Sequence, residues 1–286
     1  MAGVTSFPLF PDDVPTHPLL VMFAMGAETM ALPMEEKMKC EHGDDGISFG
    51  YGVLQGCATR EMGTLDTAEF INVSKEDAIA WPEQVHRAYP PTVNAHMAST
   101  ITLFIEKSLE VNNALLAVLN EKLGLSDGTL LAKHDLREHS GSEARCIRSP
   151  PMPAGSTPDK AALGSHTDFG SLSFLHNRLG GLQVMVPGSS TWLYVKSIPG
   201  HAICNLGDAM TILSGGILKS KLHRVVSPSK ARAQYVRWPG NSIVLRPLIE
   251  DGALIATAVA NSPSAKFGTE VTAQEWFARR IMNQRI

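Results

Sequence analysis

Residues 163–226 read LGSHTDFGSLSFLHNRLGGLQVMVPGSSTWLYVKSIPGHAICNLGDAMTILSGGILKSKLHRVV, and this stretch decides the fold. Short runs rich in Val, Ile, Leu and aromatic residues alternate here with clusters of Gly, Pro, Asn and Ser. Together with one run just upstream, they predict strands at 143–148, 171–176, 182–186, 191–196, 202–206 and 222–226. Closely spaced short strands are typical of a β-sandwich or barrel, and a double-sheet jelly roll is one way to protect the sheet edges.

Three polar residues in this stretch form a candidate metal site. His166 and Asp168 are two residues apart, and His223 follows 55 residues after Asp168. On a strand, residues i and i+2 point to the same face, so this imidazole and this carboxylate are predicted to face a common point. If His223 returns on a neighbouring strand, the set becomes the two-His, one-carboxylate triad of non-haem Fe(II) oxygenases.

A less specific interpretation of these residues must be considered. His-x-Asp occurs often by chance, and a single His on an apolar face is more often a packed core residue. The alternating strands and turns between Asp168 and His223 favour the metal site, since they can return the second His to the first. Nearby candidates are weaker, and we expect structural roles for His134, His139, His176, His201, Asp208 and Arg224.

The order and spacing of the motifs resemble one family over about 85 residues. The segments are GSHTDFGSLS at 164–173, GGLQV at 180–184, Trp192, NLGD at 205–208 and LHRV at 222–225. They look like the core of the isopenicillin-N-synthase-like Fe(II)/2-oxoglutarate-dependent dioxygenases. The resemblance implies a double-stranded β-helix, or jelly-roll, core in an α+β protein.

The resemblance also implies a chemistry. His166, Asp168 and His223 would bind Fe(II), and 2-oxoglutarate and O₂ would occupy the remaining positions on the metal. In this family, 2-oxoglutarate becomes succinate and CO₂ while a small organic molecule, such as a secondary metabolite or amino-acid derivative, is hydroxylated, desaturated or cyclised. The cofactors supply this chemistry, so no side-chain general base is required.

Arg237 stands where the family carries the Arg of Arg-x-Ser, which implies that it anchors the distal carboxylate of 2-oxoglutarate. Arginine suits that role because it is permanently charged and can pair with a carboxylate through two hydrogen bonds. Beside Trp238, Arg237 could instead form a stacked surface pair. Pro239 replaces the family's Ser, and we expect the strand that follows to be shortened or missing. Ser149 likewise stands where many relatives carry a Tyr that binds the co-substrate.

The rest of the chain is expected to support this core. Residues 1–140 are interpreted as a mostly helical part, 141–262 as the oxygenase core, and 263–286 as a closing helix centred on 272–285, all in one structural unit. Residues 1–19 hold four prolines and predict an extended lead-in in place of the N-terminal strand of relatives. The strongest helical pattern, from Thr92 to Leu123, carries one apolar stripe expected to pack on the sheet.

Composition excludes several classes of function. The net charge of −3 and pI of about 6.4 give no basic surface for nucleic acid or an anionic membrane. No apolar run is long enough to span a membrane, and the N-terminus lacks the pattern of a signal peptide. Cys40, Cys57, Cys146 and Cys204 show no CxxC spacing, so we expect reduced thiols in a cytoplasmic protein.

Three functions remain open at this point. The first is an Fe(II)- and 2-oxoglutarate-dependent oxygenase acting on a small molecule. The second is a catalytically silent relative that binds metal. It is favoured by the altered Arg-x-Ser region and by the expected loss of the N-terminal strand. The third is an oxidase of the same fold that uses O₂ without 2-oxoglutarate.

Overall fold

The computed structural model describes residues 4–8, 18–43, 48–53, 68–149, 161–214, 216–226 and 239–245. Arg237, Cys57 and the expected closing helix at 272–285 lie outside these residues. The helices are α1 Pro18–Ala31, α2 Met34–Met38, α3 Lys75–Ala80, α4 Pro91–Asn94, α5 Thr102–Lys122, α6 Thr129–Ala132 and α7 Asp208–Leu213, with a π-helical turn at Met97–Ile101. The strands are β1 Val4–Pro8, β2 Gly50–Val53, β3 Glu69–Ser74, β4 Glu143–Arg148, β5 Ala161–His166, β6 Leu172–Asn177, β7 Leu182–Met185, β8 Trp192–Tyr194, β9 His201–Leu206, β10 His223–Val226 and β11 Pro239–Leu245.

These strands form two antiparallel sheets. The larger sheet has the order β1-β9-β6-β11-β4-β3-β2, and the smaller has the order β5-β10-β7-β8. The six strands predicted between residues 143 and 226 all form, with ends displaced by at most two residues. From β4 to β11 the chain passes back and forth between the two sheets, with β7 and β8 forming a hairpin in the smaller one, which is the chain path of a jelly roll.

The larger sheet has one face against helices and one face toward the interior of the roll. Alternate residues on β3, β4, β6 and β9 join the hydrophobic core with residues of α1 and α5: Ile71, Val73, Ala144, Cys146, Leu172, Phe174, Ala202 and Cys204. Side chains between them in the sequence point the opposite way. This inner face carries Phe70, Asn72, Glu143, Arg145, Ser173 and Asn205, so it is largely polar.

The long helical pattern near the middle of the chain is confirmed. α4, the π-helical turn and α5 follow one another from Pro91 to Lys122, and Gly124 adopts a positive φ of 66° just after the helix. The predicted apolar stripe is buried in the core, as the exposures of Val93, Met97, Ile101, Phe104, Ile105, Leu109 and Leu116 show. This stripe covers the outer face of the larger sheet. Among the described helices, none combines the length and apolar character needed to cross a bilayer.

Two expectations about the strands were wrong. Residues 4–8 are a strand, β1, that pairs with β9 at one edge of the larger sheet. The strand after Arg237 is also present, since β11 lies centrally between β6 and β4. Pro239 is tolerated because it is the first residue of β11, where a register shift separates it from the regular pairing at Ser242.

His176, for which a structural role is expected, lies inside the core. It is 2% exposed on β6, and its ring centroid lies 5.7 Å from that of Phe104 on α5. Its alternation with Phe174 places it on the helix-covered face of the larger sheet. His176 therefore points away from the candidate metal site, in agreement with the expectation of a structural role.

Candidate metal centre

The two candidate histidines lie opposite each other on neighbouring strands. β10 pairs antiparallel with β5, and His223 is the cross-strand partner of His166. Their ring centroids are 4.3 Å apart. The predicted return of His223 beside the first His therefore takes place in the smaller sheet, where β7 pairs with the other side of β10.

Asp168 completes a cluster of three possible ligands. Its Oδ1 lies 3.8 Å from Nε2 of His166 and 3.6 Å from Nε2 of His223. The ligand atoms of the three residues all lie within 4.8 Å of one another. Two donors bound about 2.1 Å from one ion and at right angles stand roughly 3 Å apart. A contraction of less than about 1 Å would therefore bring Oδ1 of Asp168 to this spacing from each of the two imidazole nitrogens.

Hydrogen bonds fix the histidine tautomers in the form that binds a metal. Nδ1 of His166 lies 2.8 Å from the carbonyl oxygen of Gly164, and Nδ1 of His223 lies 3.0 Å from that of Lys221. A carbonyl oxygen only accepts, so each Nδ1 carries the hydrogen and each Nε2 presents a lone pair. An outer-shell acceptor of this kind is the usual partner of a histidine bound to a metal.

The electrostatics of the cluster suit a cation. Burial lowers the pKa of His166, and the nearby His223 and, more weakly, Arg145 act in the same direction. Burial raises the pKa of Asp168, but His223, His166 and a hydrogen bond from Asn205 outweigh this and lower it to about 2. At neutral pH the site therefore presents a carboxylate and a neutral His166, which are the protonation states that a metal requires.

Asn205 orients the carboxylate. Its Nδ2 donates to Oδ2 of Asp168 at 2.7 Å, which leaves Oδ1 directed at the two imidazoles. Asn205 belongs to β9 of the larger sheet, so this hydrogen bond connects the inner face of that sheet to the site. A histidine or carboxylate ligand is commonly held by such outer-shell partners.

The turn after β9 is hydrogen-bonded to the loop that carries Asp168. The backbone N–H of Asp208 donates to the carbonyl of Asp168 at 2.8 Å, and Thr167 Oγ1 donates to the Asp208 carboxylate at 2.9 Å. A Cβ on Gly207 would lie 2.0 Å from the carbonyl oxygen of Gly170. Only glycine fits here, because any side chain would push this loop away from β9.

The sequence predicted the members of this cluster but not all of its geometry. β5 ends at His166, so Asp168 lies in the following loop and not on the same strand. The two side chains converge because the turn after β9 holds that loop, and not through the two-residue period of a strand. Arg224, as expected, points away from the site, since its Nε donates to Gln183 and its Cζ lies 4.3 Å from the Trp192 ring centroid.

Sequence reasoning missed the roles of Asn205 and Gly207. Both belong to the quoted NLGD motif, in which a structural role was expected only for Asp208. The available signal was an Asn at the end of a predicted strand next to a Gly-Asp turn. It did not identify a partner because Asp168 is 37 residues away in sequence. The candidate 2-oxoglutarate anchor, Arg237, lies outside the described residues, and its role stays a prediction.

Replacing Asn205 by alanine is expected to weaken metal binding without unfolding the chain. The carboxylate of Asp168 would lose its orienting donor, and loss of such an outer-shell partner typically costs about 10–100-fold in affinity. Co(II) affinity, measured by calorimetry on metal-free protein, tests this. Asn177→Ala is a suitable control, because Asn177 binds the Gly180 carbonyl within its own turn. Equal losses in the two variants would contradict the assignment.

The stability of the metal-free protein is expected to depend on Asp168 in acid. Its pKa of about 2 in the folded state lies below the ordinary value of 3.8, so its contribution is present above pH 3.8 and is lost as the pH falls toward 2. The shift corresponds to about 2 kcal/mol. Urea unfolding of wild type and Asp168→Asn at pH 4, 3 and 2 should show the difference in unfolding free energy changing by that amount. A difference independent of pH would contradict the prediction.

Comparison with known proteins agrees with this geometry. Residues 138–241 match the family model of the 2OG-Fe(II) oxygenase superfamily, a range that includes His166, Asp168, His223 and Arg237. A 2-oxoglutarate-dependent dioxygenase of Aspergillus fumigatus is 30% identical over 191 residues, covering 56% of this chain and 49% of the relative. A leucoanthocyanidin dioxygenase of Petunia hybrida is 32% identical over 231 residues, covering 76% of this chain and 50% of the relative. The chain thus spans about half the length of these curated relatives.

Solved structures show the same fold. A full-length Neurospora crassa protein, crystallised in complex with alpha-KG, superposes with a TM-score of 0.75 at 20% identity, covering 98% of this chain and 86% of that one. A 2OG-Fe(II) oxygenase family protein from Caulobacter crescentus gives 0.73 at 21% identity, covering 98% and 90%. The expected jelly-roll, α+β architecture is confirmed. Residues 138–241 thus match a domain of the 2OG-Fe(II) oxygenase superfamily, and the fold of the described residues agrees with that match.

Proposed function

We propose that this chain is an Fe(II)- and 2-oxoglutarate-dependent dioxygenase that oxidises a small organic molecule by hydroxylation, desaturation or cyclisation. The observation that carries the proposal is the convergence of His166, Asp168 and His223 where β5 and β10 of the smaller sheet pair. The superfamily match over 138–241 and the names of the relatives support the same activity.

In this proposal each protein group has a defined task. Nε2 of His166, Nε2 of His223 and Oδ1 of Asp168 hold Fe(II) on one side, which leaves the other side open. Asn205 and the turn at 207–208 keep Asp168 in place, as the hydrogen bonds described above support. When bound, Fe(II) and 2-oxoglutarate supply the oxidation, in which O₂ is consumed and 2-oxoglutarate becomes succinate and CO₂.

We propose Arg237 as the anchor for the distal carboxylate of 2-oxoglutarate. This assignment is supported by its position after His223 in the family pattern and by its inclusion in the matched range. A guanidinium can hold a carboxylate through two hydrogen bonds. The replacement of the family's Ser by Pro239 removes a hydroxyl from this anchor, so we expect 2-oxoglutarate to bind more weakly than in relatives that keep the Ser.

We further propose a cytoplasmic enzyme of secondary metabolism whose partners are its substrate and O₂. The free thiols of Cys40 and Cys204 support a reducing compartment, and the low net charge argues against nucleic acid or membrane binding. Residues 1–140, 141–262 and 263–286 would act together as one unit. This is supported by the contribution of β1, β2 and β3 to the same sheet as β4 and β11.

The test is turnover by the full chain loaded with Fe(II). Succinate formation and O₂ consumption are measured with and without a panel of small organic substrates, with His223→Ala as the inactive control. Succinate formed by wild type and not by the variant supports the proposal. Fe(II) binding without 2-oxoglutarate binding would identify a silent relative instead. O₂ consumption coupled to a substrate but not to succinate would identify an oxidase.

A further inference from the structure

A second charged group, Arg145, faces the interior of the roll from the larger sheet. Arg145 lies on β4, where its neighbours Ala144 and Cys146 are buried against the helices, so its side chain points to the inner face. Among the described residues of β3, β4, β6 and β9 that share this face, Arg145 is the only permanent cation.

The guanidinium of Arg145 is held in one position by three groups. Its Nε donates to Oδ1 of Asn72 at 2.9 Å, and its Nη2 donates to Oε1 of Glu143 at 2.7 Å. Its Cζ lies 5.4 Å from the ring centroid of Phe70. Ser48 donates to the other oxygen of Glu143, so the carboxylate is fixed as well. A cation held in this way loses little side-chain freedom when it binds a ligand.

The hydrogen bonds to Asn72 and Glu143 use only part of the capacity of Arg145. A guanidinium has five N–H donors, and these bonds take one at Nε and one at Nη2. The side chain of Arg145 is 25% exposed, whereas that of Glu143 is fully buried. The guanidinium of Arg145 is therefore accessible to a ligand, whereas the carboxylate of Glu143 is not.

The register of the larger sheet gives the distance between β4, which carries Arg145, and β9, which carries Asn205. Glu143 pairs with Val244, Val244 with Ser173, and Ser173 with Asn205, which holds Asp168. Three strand spacings amount to roughly 14 Å across the sheet. A small organic acid is the class of ligand that would place its carboxylate at Arg145 and its carbon skeleton toward the triad.

We propose that Arg145 is the site that binds a carboxylate of the primary substrate, so that the substrate is an organic acid. This inference deepens the proposed function and rests on it for the statement that the ligand is a substrate. The carboxylate accepts N–H donors of Arg145 that Asn72 and Glu143 do not use, and such charge-assisted bonds are strong. Because Arg237 is proposed to bind 2-oxoglutarate, the substrate and the co-substrate would bind to different arginines.

The test compares acids with their neutral amides on the metal-free full chain. Phenylacetate and hexanoate are titrated by calorimetry against phenylacetamide and hexanamide, which have nearly the same shape without the charge. We expect wild type to prefer the acids by at least about tenfold, because a hydrogen bond to a charged partner is worth more than a neutral one. Arg145→Gln should abolish the preference, and Arg145→Lys should keep part of it.

Two further variants separate binding from folding. Arg224→Gln is the matched control, since Arg224 is next to His223 but faces away from the site. Glu143→Gln should strengthen acid binding, because it removes the negative charge beside the ligand, whereas Arg145→Gln weakens it. A purely structural ion pair predicts the same direction for both variants, so losses in both would overturn the proposal. Thermal unfolding of each variant checks that it is folded.

A titration with 2-oxoglutarate tests whether Arg145 binds the substrate or the co-substrate. 2-Oxoglutarate is titrated into the Zn(II)-loaded wild type and Arg145→Gln, and we expect equal affinities. If Arg145→Gln loses 2-oxoglutarate binding, Arg145 holds the co-substrate and the proposal is overturned; an absent acid preference in wild type overturns it too. Failure of the proposed function can be distinguished from failure of this inference. It would appear as absent metal binding or turnover, whereas the comparison of acids with amides on metal-free protein can still be measured.

Discussion

Replacing Asp168 by alanine is expected to lower Fe(II) affinity by more than about 100-fold, since the loss of an outer-shell partner of a ligand already costs about 10–100-fold. The two remaining imidazoles are neutral donors, so the site would lose its only negative charge along with one of its three ligands. Oxygen ligands are also the ones that a hard cation prefers. The measurement is Fe(II) binding under anaerobic conditions, followed by calorimetry or by competition with a chelator.

A second variant separates binding from folding. Asp168→Ala also leaves Nδ2 of Asn205 without its acceptor, and a buried unpaired donor costs about 1–3 kcal/mol of unfolding free energy. Asp168→Asn keeps an acceptor for Asn205 but removes the charge, so it should fold better and still bind Fe(II) poorly. Asp135→Ala, at a position whose carboxylate pairs with Arg137, is the control. Fe(II) affinity close to wild type in Asp168→Ala would refute the assignment of the metal centre.

Replacing Gly207 by alanine should damage both stability and metal binding. The new Cβ would lie 2.0 Å from the carbonyl oxygen of Gly170 and 3.0 Å from that of Asp168, and backbone atoms cannot rotate away as a side chain does. The loop at 167–171 must then separate from β9. We expect a loss of about 1–3 kcal/mol or more in unfolding free energy, as for other overpacked sites. Metal affinity should fall because Asp168 moves with the loop.

The control for this variant is Gly188→Ala. Gly188 has a positive φ of 74° in the β7–β8 turn, and a Cβ there meets no atom within 4 Å. This change should cost about 1–2 kcal/mol through backbone strain and leave metal affinity unchanged. Chemical unfolding and Co(II) titration measure the two effects. If Gly207→Ala binds Co(II) as wild type does, the contact between the turn and the Asp168 loop does not determine metal affinity.

Local sequence patterns were enough for the elements of the core. The alternation of apolar runs with Gly, Pro and Asn clusters predicts strands because a strand needs only its own residues to be extended and half-buried. The apolar stripe from Val93 to Leu116 likewise predicts a helix packed on one side. The effect of Pro239 could not be predicted locally, since it depends on where in the strand the proline falls, and only the pairing of β11 shows that it is first.

The chain itself determined which residues meet: the spacing of His166, Asp168 and His223, set among strands that return on one another, was sufficient to name the triad. The tertiary structure decided how they are held. Asn205 approaches Asp168 across 37 residues, and Arg145 faces the interior of the roll from the larger sheet. Such contacts depend on the register of distant strands and on the closure of the roll. No local pattern encodes them, because each residue's own neighbours in sequence are compatible with many partners.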